Sequence, residues 1–250
     1  MTDPETRFTC ASWNIHRARG NDGVVDPGRT ADVVVGDVCA PPPDALLLQE
    51  ADEEAPPHRG LLDLDRIERD TGLRSVHAAP ETRWSVESHG FLGTIVFLSA
   101  ASVVERVLLV DLPGHCHRGA VVVDFTHRDK PLRLVGAHLA LALPLRVAQT
   151  RTIGQHLARR AARPTILCGD LNEWRPWGGP ALSRRVTILP FAGPRRASFP
   201  ARRPILPLDR VLVTPPLSVK TLEVLDTPAI RATSDHRPIR ADLTLPAARS

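Results

Sequence analysis

Apolar residues in this chain come in short runs, and most runs end in a polar side chain. Residues 8–15 alternate, which puts Ser12 and Asn14 on one face of an extended strand. Ala45-Leu46-Leu47-Leu48 ends in Gln49-Glu50, and Arg133-Leu134-Val135-Gly136-Ala137 ends in His138. Thr165-Ile166-Leu167-Cys168 leads into Gly169-Asp170-Leu171-Asn172. Residues 205–213 carry Asp209-Arg210 inside an apolar run, and Ser234-Asp235-His236-Arg237-Pro238 opens a last one over 239–245. Runs of this length bounded by turn residues predict strands. Further strands are expected at 75–79, 91–99, 102–110, 120–125 and 219–225.

Helical spacing appears in fewer places. Asp26-Pro27 reads as a helix start, with Asp as N-cap and Pro in the first turn, and Ala31, Val34, Val35 and Val38 continue it. Leu61, Leu64 and Ile67 predict a second helix closing at Gly72. Pro144 opens the longest helix, running to about Arg160, with Ile153, Leu157 and Ala161 on one face and Arg146 and Gln149 on a solvated face. A short helix is expected near 181–185. No repeat of about 20–50 residues and no linker long enough to split domains is present. One domain over 1–250 is expected, with loose ends at 1–6 and 246–250. Strand runs mixed with a few helices predict an α+β sandwich.

Polar groups delivered to one end of several strands are what a hydrolytic site on a sheet scaffold requires. Asp170 and Asn172 are two apart and share a face in extended backbone, so one can polarise a water or hold a metal while the other donates to a developing oxyanion. Gly-Asp-x-Asn is also a good turn. His138 alone could be a satisfied rim histidine. Asp209 lies in an apolar strand and needs a partner, either an imidazole or Arg210. Arg118 opens an apolar strand and reads as a phosphate ligand or a surface arginine. Trp174 and Trp177, with Arg175 between them and Gly178-Gly179 after them, form a substrate wall or pack under their loop. Residues of His115-Cys116-His117 alternate faces in a strand and do not converge on one zinc ion, so this segment is read as a loop. No GxxxxGK[ST] or GxSxG motif appears.

Taken in order, Ser12-Trp13-Asn14-Ile15, Gln49-Glu50, Gly136-Ala137-His138-Leu139, Gly169-Asp170-Leu171-Asn172, Leu208-Asp209-Arg210-Val211 and Ser234-Asp235-His236-Arg237-Pro238 resemble the endonuclease/exonuclease/phosphatase superfamily, the DNase I-like phosphoesterases. The resemblance spans residues 8–245. It implies a four-layer α/β/β/α sandwich of two mainly antiparallel sheets, and Mg²⁺-dependent hydrolysis of a phosphate ester, with Mn²⁺ as a substitute. By the same resemblance Glu50 is the main metal ligand, helped by Asn14 and Asp235. His138 contacts the scissile phosphate, and Asp170 orients or deprotonates the attacking water. Asn172 donates to a phosphoryl oxygen, Asp209 supports His236, and His236 stabilises charge or assists the leaving group. Arg118 and Trp174 are the substrate-binding candidates. The chain departs from the family where Ala137 replaces the Thr common before the motif histidine, and where Ala100 stands in place of a usual Arg. It contains no tyrosine, so any subfamily that uses a catalytic or stacking Tyr is excluded in that detail.

Charge and composition add limits. The net charge is +4 and the pI about 9.3, which favours anionic partners. The basic residues are almost all Arg and accompany abundant Ala and Pro, as in a GC-rich genome, so the excess by itself says little about nucleic acid. The polar, acidic N-terminus shows no secretory signal, and no apolar run approaches the ~20 residues of a membrane span. Cys10, Cys39, Cys116 and Cys168 have no CxxC spacing. A cytoplasmic, monomeric, reduced enzyme is expected, acting on a phosphate ester that is a small molecule or nucleic acid. The leading expectation is a phosphodiesterase or phosphatase using water as nucleophile. A DNA or RNA nuclease of the same fold is the alternative, and a catalytically silent phospho-ligand or protein-binding module is the alternative of another class.

Overall fold

The first apolar run becomes strand β1, Arg7–Asn14, and both of its faces are buried. The computed structural model describes residues 7–114, 118–175 and 179–245. Within them β1 runs parallel to β2 (Ala45–Gln49) and antiparallel to β11 (Ile239–Thr244). The first sheet has the order β10 (Ser218–Val224), β11, β1, β2, β4 (Ile95–Ser99), β3 (Leu73–Ser75). The second has the order β5 (Ser102–Asp111), β6 (Gly119–His127), β7 (Lys130–His138), β8 (Thr165–Asp170), β9 (Asp209–Val213). Here β7 and β8 are parallel and every other pairing is antiparallel.

The two sheets meet face to face, as the alternation demands. Phe8 and Cys10 of β1, Leu47 of β2, Leu132 and Leu134 of β7, Ile166 and Cys168 of β8, and Val211 and Val213 of β9 fill the space between them. Gly136 lets the sheets approach, since a Cβ there would come within 2.9 Å of Leu47. On the outer face of the first sheet Ala11, Trp13, Leu46 and Leu48 pack against Ala31 and Val33 of helix α1 (Pro27–Val33), Ile67 of α2 (Leu64–Thr71) and Ile230 of α5 (Pro228–Thr233). On the outer face of the second, Val122, Val135 and Leu167 pack against Ile153 and Leu157 of α3 (Leu143–Ala158), and a short α4 (Arg184–Thr187) follows nearby. The result is the expected four-layer sandwich.

Several local expectations need adjustment. Asp26 does cap α1, accepting from the Arg29 amide at 2.9 Å, but after Val33 the chain widens into a π turn over Val34–Val38. The strand expected at 75–79 lies at Leu73–Ser75, because His77 turns away to bond Thr82 O at 2.6 Å through Nδ1. The run expected from 91 pairs only from Ile95, since Gly93 at φ +77° makes a turn first. Helix α3 ends at Ala158, so Ala161 is exposed and off its apolar face. Arg146 and Gln149 are 1% and 0% exposed, which overturns the solvated-face reading. The short helix starts at Arg184 rather than near 181, and α5 was not expected. Cys116, His115, His117, Trp177 and Gly178 lie outside the described residues.

Candidate active site

The site grows from the face of each strand that builds the inter-sheet core. Along β1 the sequence Phe8, Cys10, Ser12, Asn14 occupies one face, apolar first and polar at the end. The same period of two places Gly136 and His138 after Leu134 on β7, and Asp170 after Cys168 on β8. Strand β9 enters from the opposite direction, so Asp209 precedes Val211 and lies directly across from Asp170. His138 is the register partner of Asp170 on the other side. One end of the buried core is therefore polar, and it is assembled from both sheets.

Side-chain geometry brings most of the sequence-predicted residues together. Asn14 Nδ2 donates to Asp170 Oδ2 at 3.0 Å and to Glu50 Oε1 at 3.4 Å. His138 Nε2 lies 3.4 Å from Asp170 Oδ2 and 4.0 Å from Glu50 Oε1. His236 Nε2 is 3.7 Å from Asp170 Oδ2, and its Nδ1 is 2.9 Å from Asp209 Oδ2. Asp209 thus pairs with the imidazole. Arg210 turns to the other face and donates to Glu173 O at 2.7 Å. Ser198 also donates to Asp209 Oδ2, and the Phe199 ring packs 4.8 Å from the His236 ring. The His236 backbone is held by Trp13 Nε1, which donates to its carbonyl at 2.9 Å.

Asn172 reaches the site by a different route from the one its spacing implies. Strand β8 ends at Asp170, and Asn172 has φ 50°, so strand alternation does not apply to it. Its backbone N–H donates to Asp170 Oδ1 at 3.0 Å, and its amide donates to Leu139 O at 2.8 Å. It holds Asp170 and ties the loop after β8 to the loop after β7. Asp235 sits at the margin, 3.7 Å from His16 Nδ1, with its Oδ1 buried and without a hydrogen bond. Arg118 is partly buried just ahead of β6. Trp174 is 49% exposed, and the Arg175 guanidinium stacks 5.1 Å from its ring.

The electrostatics divide the two histidines. Burial depresses His138 well below the usual imidazole range, helped by the charges of Arg118, His236 and Arg17. Burial pushes His236 the same way, but the carboxylates of Asp209 and Asp170 outweigh it and raise His236 to about 10. Burial lifts Asp170 to about 6, with His236 opposing and Asp209 adding to the rise. The site therefore holds a neutral imidazole and a protonated one on either side of a carboxyl group that titrates near neutrality. Paired groups pushed apart in this way are a mark of acid–base chemistry.

Three groups around this centre escaped the sequence reading. Arg17 Nη1 lies 3.0 Å from Glu50 Oε2. Glu173 is fully buried and pairs with Arg175 at 3.1 Å and with Arg146 Nε at 3.7 Å. Gln149 accepts from the Ala140 amide at 2.8 Å and donates to Pro113 O at 2.9 Å. A signal was present for Arg146 and Gln149: Arg146, Thr150, Ile153 and Leu157 follow helical spacing, so Arg146 and Gln149 extend the apolar stripe instead of opposing it.

The donors suit a hard divalent cation. Glu50 and Asp235 offer carboxylate oxygens, and the orphaned Asp235 Oδ1 is an unsatisfied acceptor. Asp170, Asp209 and His236 bring ligating atoms within 4.8 Å of one another, but a protonated His236 bonded to Asp209 is a donor rather than a ligand. The described cysteines are buried and free, and none belongs to this set.

The arrangement is that of a phosphoesterase fold. The sequence profile of the Endonuclease/Exonuclease/phosphatase family matches residues 11–236, and the chain belongs to that family. Members of that family are hydrolases acting on phosphate esters and generally use divalent metals. An endonuclease/exonuclease/phosphatase from Beutenbergia cavernae DSM 12333 is 23% identical and superposes with TM-score 0.66, over 97% of this chain and 72% of that one. TDP2 of D. rerio in complex with single strand DNA product is 15% identical, with TM-score 0.68 over 95% and 99% of the two chains. A mannosyl-6-phosphatase of Bacteroides thetaiotaomicron is 16% identical, with TM-score 0.69 over 95% and 100%. Comparison with curated protein sequences gave no match. No helix among the described residues is long and apolar enough to cross a membrane.

Proposed function

We propose that the protein hydrolyses phosphate esters with a metal-assisted water nucleophile and no covalent intermediate, using Mg²⁺ or Mn²⁺. The observation that carries this reading is Asp170 Oδ2, within 3.7 Å of both His138 and His236 and hydrogen-bonded to Asn14. A carboxylate in that position, with a pKa lifted to about 6, can hold a water and take its proton near neutral pH. His236, kept protonated by Asp209, donates from Nε2 to a phosphoryl oxygen as charge grows in the transition state. His138, kept neutral, is a second hydrogen-bonding group to the phosphate, and Arg118 adds positive charge beside it. Asn14 and Asn172 orient the carboxylates and complete the donor set. A divalent cation held by Glu50, placed by Asn14 and joined by Asp235, would offset phosphate charge and activate water.

The substrate class is open between two esters. A compact phosphate ester agrees with the absence of lysine clusters. A nucleic-acid substrate is favoured by one specific observation, the exposed Trp174 ring stacked by Arg175 beside the Asp170 loop, a surface on which a base can stack. Turnover of bis-p-nitrophenyl phosphate, nucleotides, sugar phosphates, inositol phosphates, sphingomyelin, oligonucleotides and plasmid DNA, each with and without Mg²⁺, separates these. No Mg²⁺-dependent turnover of any of them would sink the catalytic reading and leave the silent phospho-ligand module. The free Cys10, Cys39 and Cys168 support a reducing, cytoplasmic setting.

A further inference from the structure

Three consecutive residues after β1 adopt left-handed backbone: His16 at φ 49°, Arg17 at φ 50° and Ala18 at φ 57°. None is glycine, so each is held there at an energetic cost. Such strain concentrates at functional sites, where surrounding contacts over-determine it. The contacts here are specific. The His16 amide donates to Asn14 Oδ1 at 3.0 Å, the Ala18 amide to Ile15 O at 2.9 Å, and the Arg19 amide to His16 O at 2.8 Å. Asp26 N adds a bond to Ala18 O at 2.9 Å. The turn is thus anchored on the same Asn14 that places Glu50 and Asp170.

What this turn presents is one guanidinium. Arg17 Nη1 donates to Glu50 Oε2 at 3.0 Å, and Nη2 lies 3.8 Å from Glu54. The opposite oxygen of Glu50 faces Asn14 and His138. The Arg17 side chain is 30% exposed while that of Glu50 is 13% exposed, so the arginine stands on the solvent side of the carboxylate. Its charge is felt at His138 and Asp52. A guanidinium and a divalent cation are rivals for one carboxylate, and a guanidinium is also the side chain best shaped to grip a phosphate with two parallel bonds.

We propose that Arg17 is a substrate-binding residue that exchanges partners, from Glu50 to the substrate phosphate, and in doing so couples metal binding to substrate binding. The inference rests on the metal-assisted reading of the site given above. Paired with Arg17, Glu50 is partly neutralised and holds a cation weakly. A phosphate at the mouth draws the guanidinium away and frees Oε2. Linkage makes the effect reciprocal: whatever factor a phosphate adds to metal affinity, the metal adds to phosphate affinity. The exchange moves a guanidinium from one oxyanion to another and involves no proton.

The test measures Mn²⁺ affinity by electron paramagnetic resonance on the full chain, with and without phenylphosphonate as a non-hydrolysable phosphate probe. Arg17→Ala is expected to tighten Mn²⁺ binding about five- to tenfold without phosphonate, to weaken phosphonate binding, and to cut the coupling factor at least threefold. Arg17→Lys keeps charge but loses the fork, and should leave Mn²⁺ affinity near wild type while weakening phosphonate. Arg19→Ala removes an exposed charge two residues away, and should change neither; a shift as large as that of Arg17→Ala would reduce the effect to net charge and overturn the proposal. Unchanged or weaker Mn²⁺ binding in Arg17→Ala, while Glu50→Gln abolishes it, overturns the exchange but leaves the metal site standing. Glu50→Gln binding Mn²⁺ as wild type does would overturn both. Thermal melts of each variant check that the fold is retained.

Discussion

His236 Nδ1 lies 2.9 Å from Asp209 Oδ2, joining the turn ahead of β11 in the first sheet to the first residue of β9 in the second. This pair keeps His236 charged against burial, at about 10 instead of the ordinary 6.5. A raised folded-state value means stabilisation that is full below pH about 6.5 and is lost as pH rises through about 10. Asp209→Asn removes most of it. Melting temperatures in EDTA should therefore differ most between wild type and Asp209→Asn below pH about 6.5, and converge toward pH about 10. Parallel melting profiles across that window would show that the pair does not hold the charge.

Asp170 is the expected proton acceptor for water. Asp170→Asn should lower turnover about 10²–10⁴-fold, or roughly 3–5 kcal/mol of barrier, and His236→Ala a similar amount. The double variant should lose less than the product of the two, because both serve one transition state. Steady-state kinetics on the best panel substrate reads this directly. Near-wild-type turnover by Asp170→Asn would require another base.

Removal of the cation is expected to stop turnover. Activity should vanish in EDTA and return with Mg²⁺ or Mn²⁺, because the available donors are oxygens. Glu50→Gln should raise the Mg²⁺ concentration needed for half-maximal rate by at least about tenfold, given one lost carboxylate charge at a hard-cation site. Full activity in EDTA, or a stoichiometric zinc content in the purified protein, would contradict the assignment.

Glu173 is a fully buried carboxylate beside Arg146, whose guanidinium also donates to the carbonyls of Ala140 and Leu141. Together they lash the loop after β7 to the loop after β8, which carries Asn172 and Trp174. Breaking a buried ion pair costs about 3–5 kcal/mol. Glu173→Gln should lower the melting temperature by roughly 6–20 °C for a chain of this size. Arg146→Met with Glu173→Leu together should cost less than the sum of the singles, since each single strands a charge. Additive losses in scanning calorimetry would mean that the two do not form a unit.

Gly169 has φ +143°, and a Cβ there would fall 2.0 Å from Ala137 O, its neighbour on the parallel strand. Gly169→Ala must push apart the two strands that end in His138 and Asp170. A loss of about 2–5 kcal/mol is expected from strain plus overpacking. Chemical denaturation measures it. Stability within about 0.5 kcal/mol of wild type, the range of an ordinary surface change, would show that the strand pair relaxes freely.

The sequence by itself determined the strands, their polar ends and the family. Period-two alternation is local, so Ser12 and Asn14, or Cys168 and Asp170, could be assigned to shared faces without knowing the fold. The Asp26-Pro27 helix start was legible for the same reason. Thr227-Pro228 carries the same signal ahead of α5, with Thr227 accepting from the Ile230 amide at 3.1 Å, but no apolar stripe follows it to mark a helix. Tertiary structure alone decided which partner each buried charge took. Asp209 had an imidazole and Arg210 as rivals, and the pleat settled it by turning Arg210 to the α3 side and Asp209 to the inter-sheet side. Arg146 and Gln149 looked solvated because charged and amide side chains usually are. They are buried because the carbonyls and amides of two loop segments and the Glu173 carboxylate converge on them, and such partners are remote in sequence. Backbone that leaves the strand was legible only in part: Asn is a residue that tolerates positive φ, in keeping with the turn that Gly-Asp-x-Asn allows at Asn172, whereas the positive φ of Arg17 is imposed by neighbours and written nowhere in its own side chain.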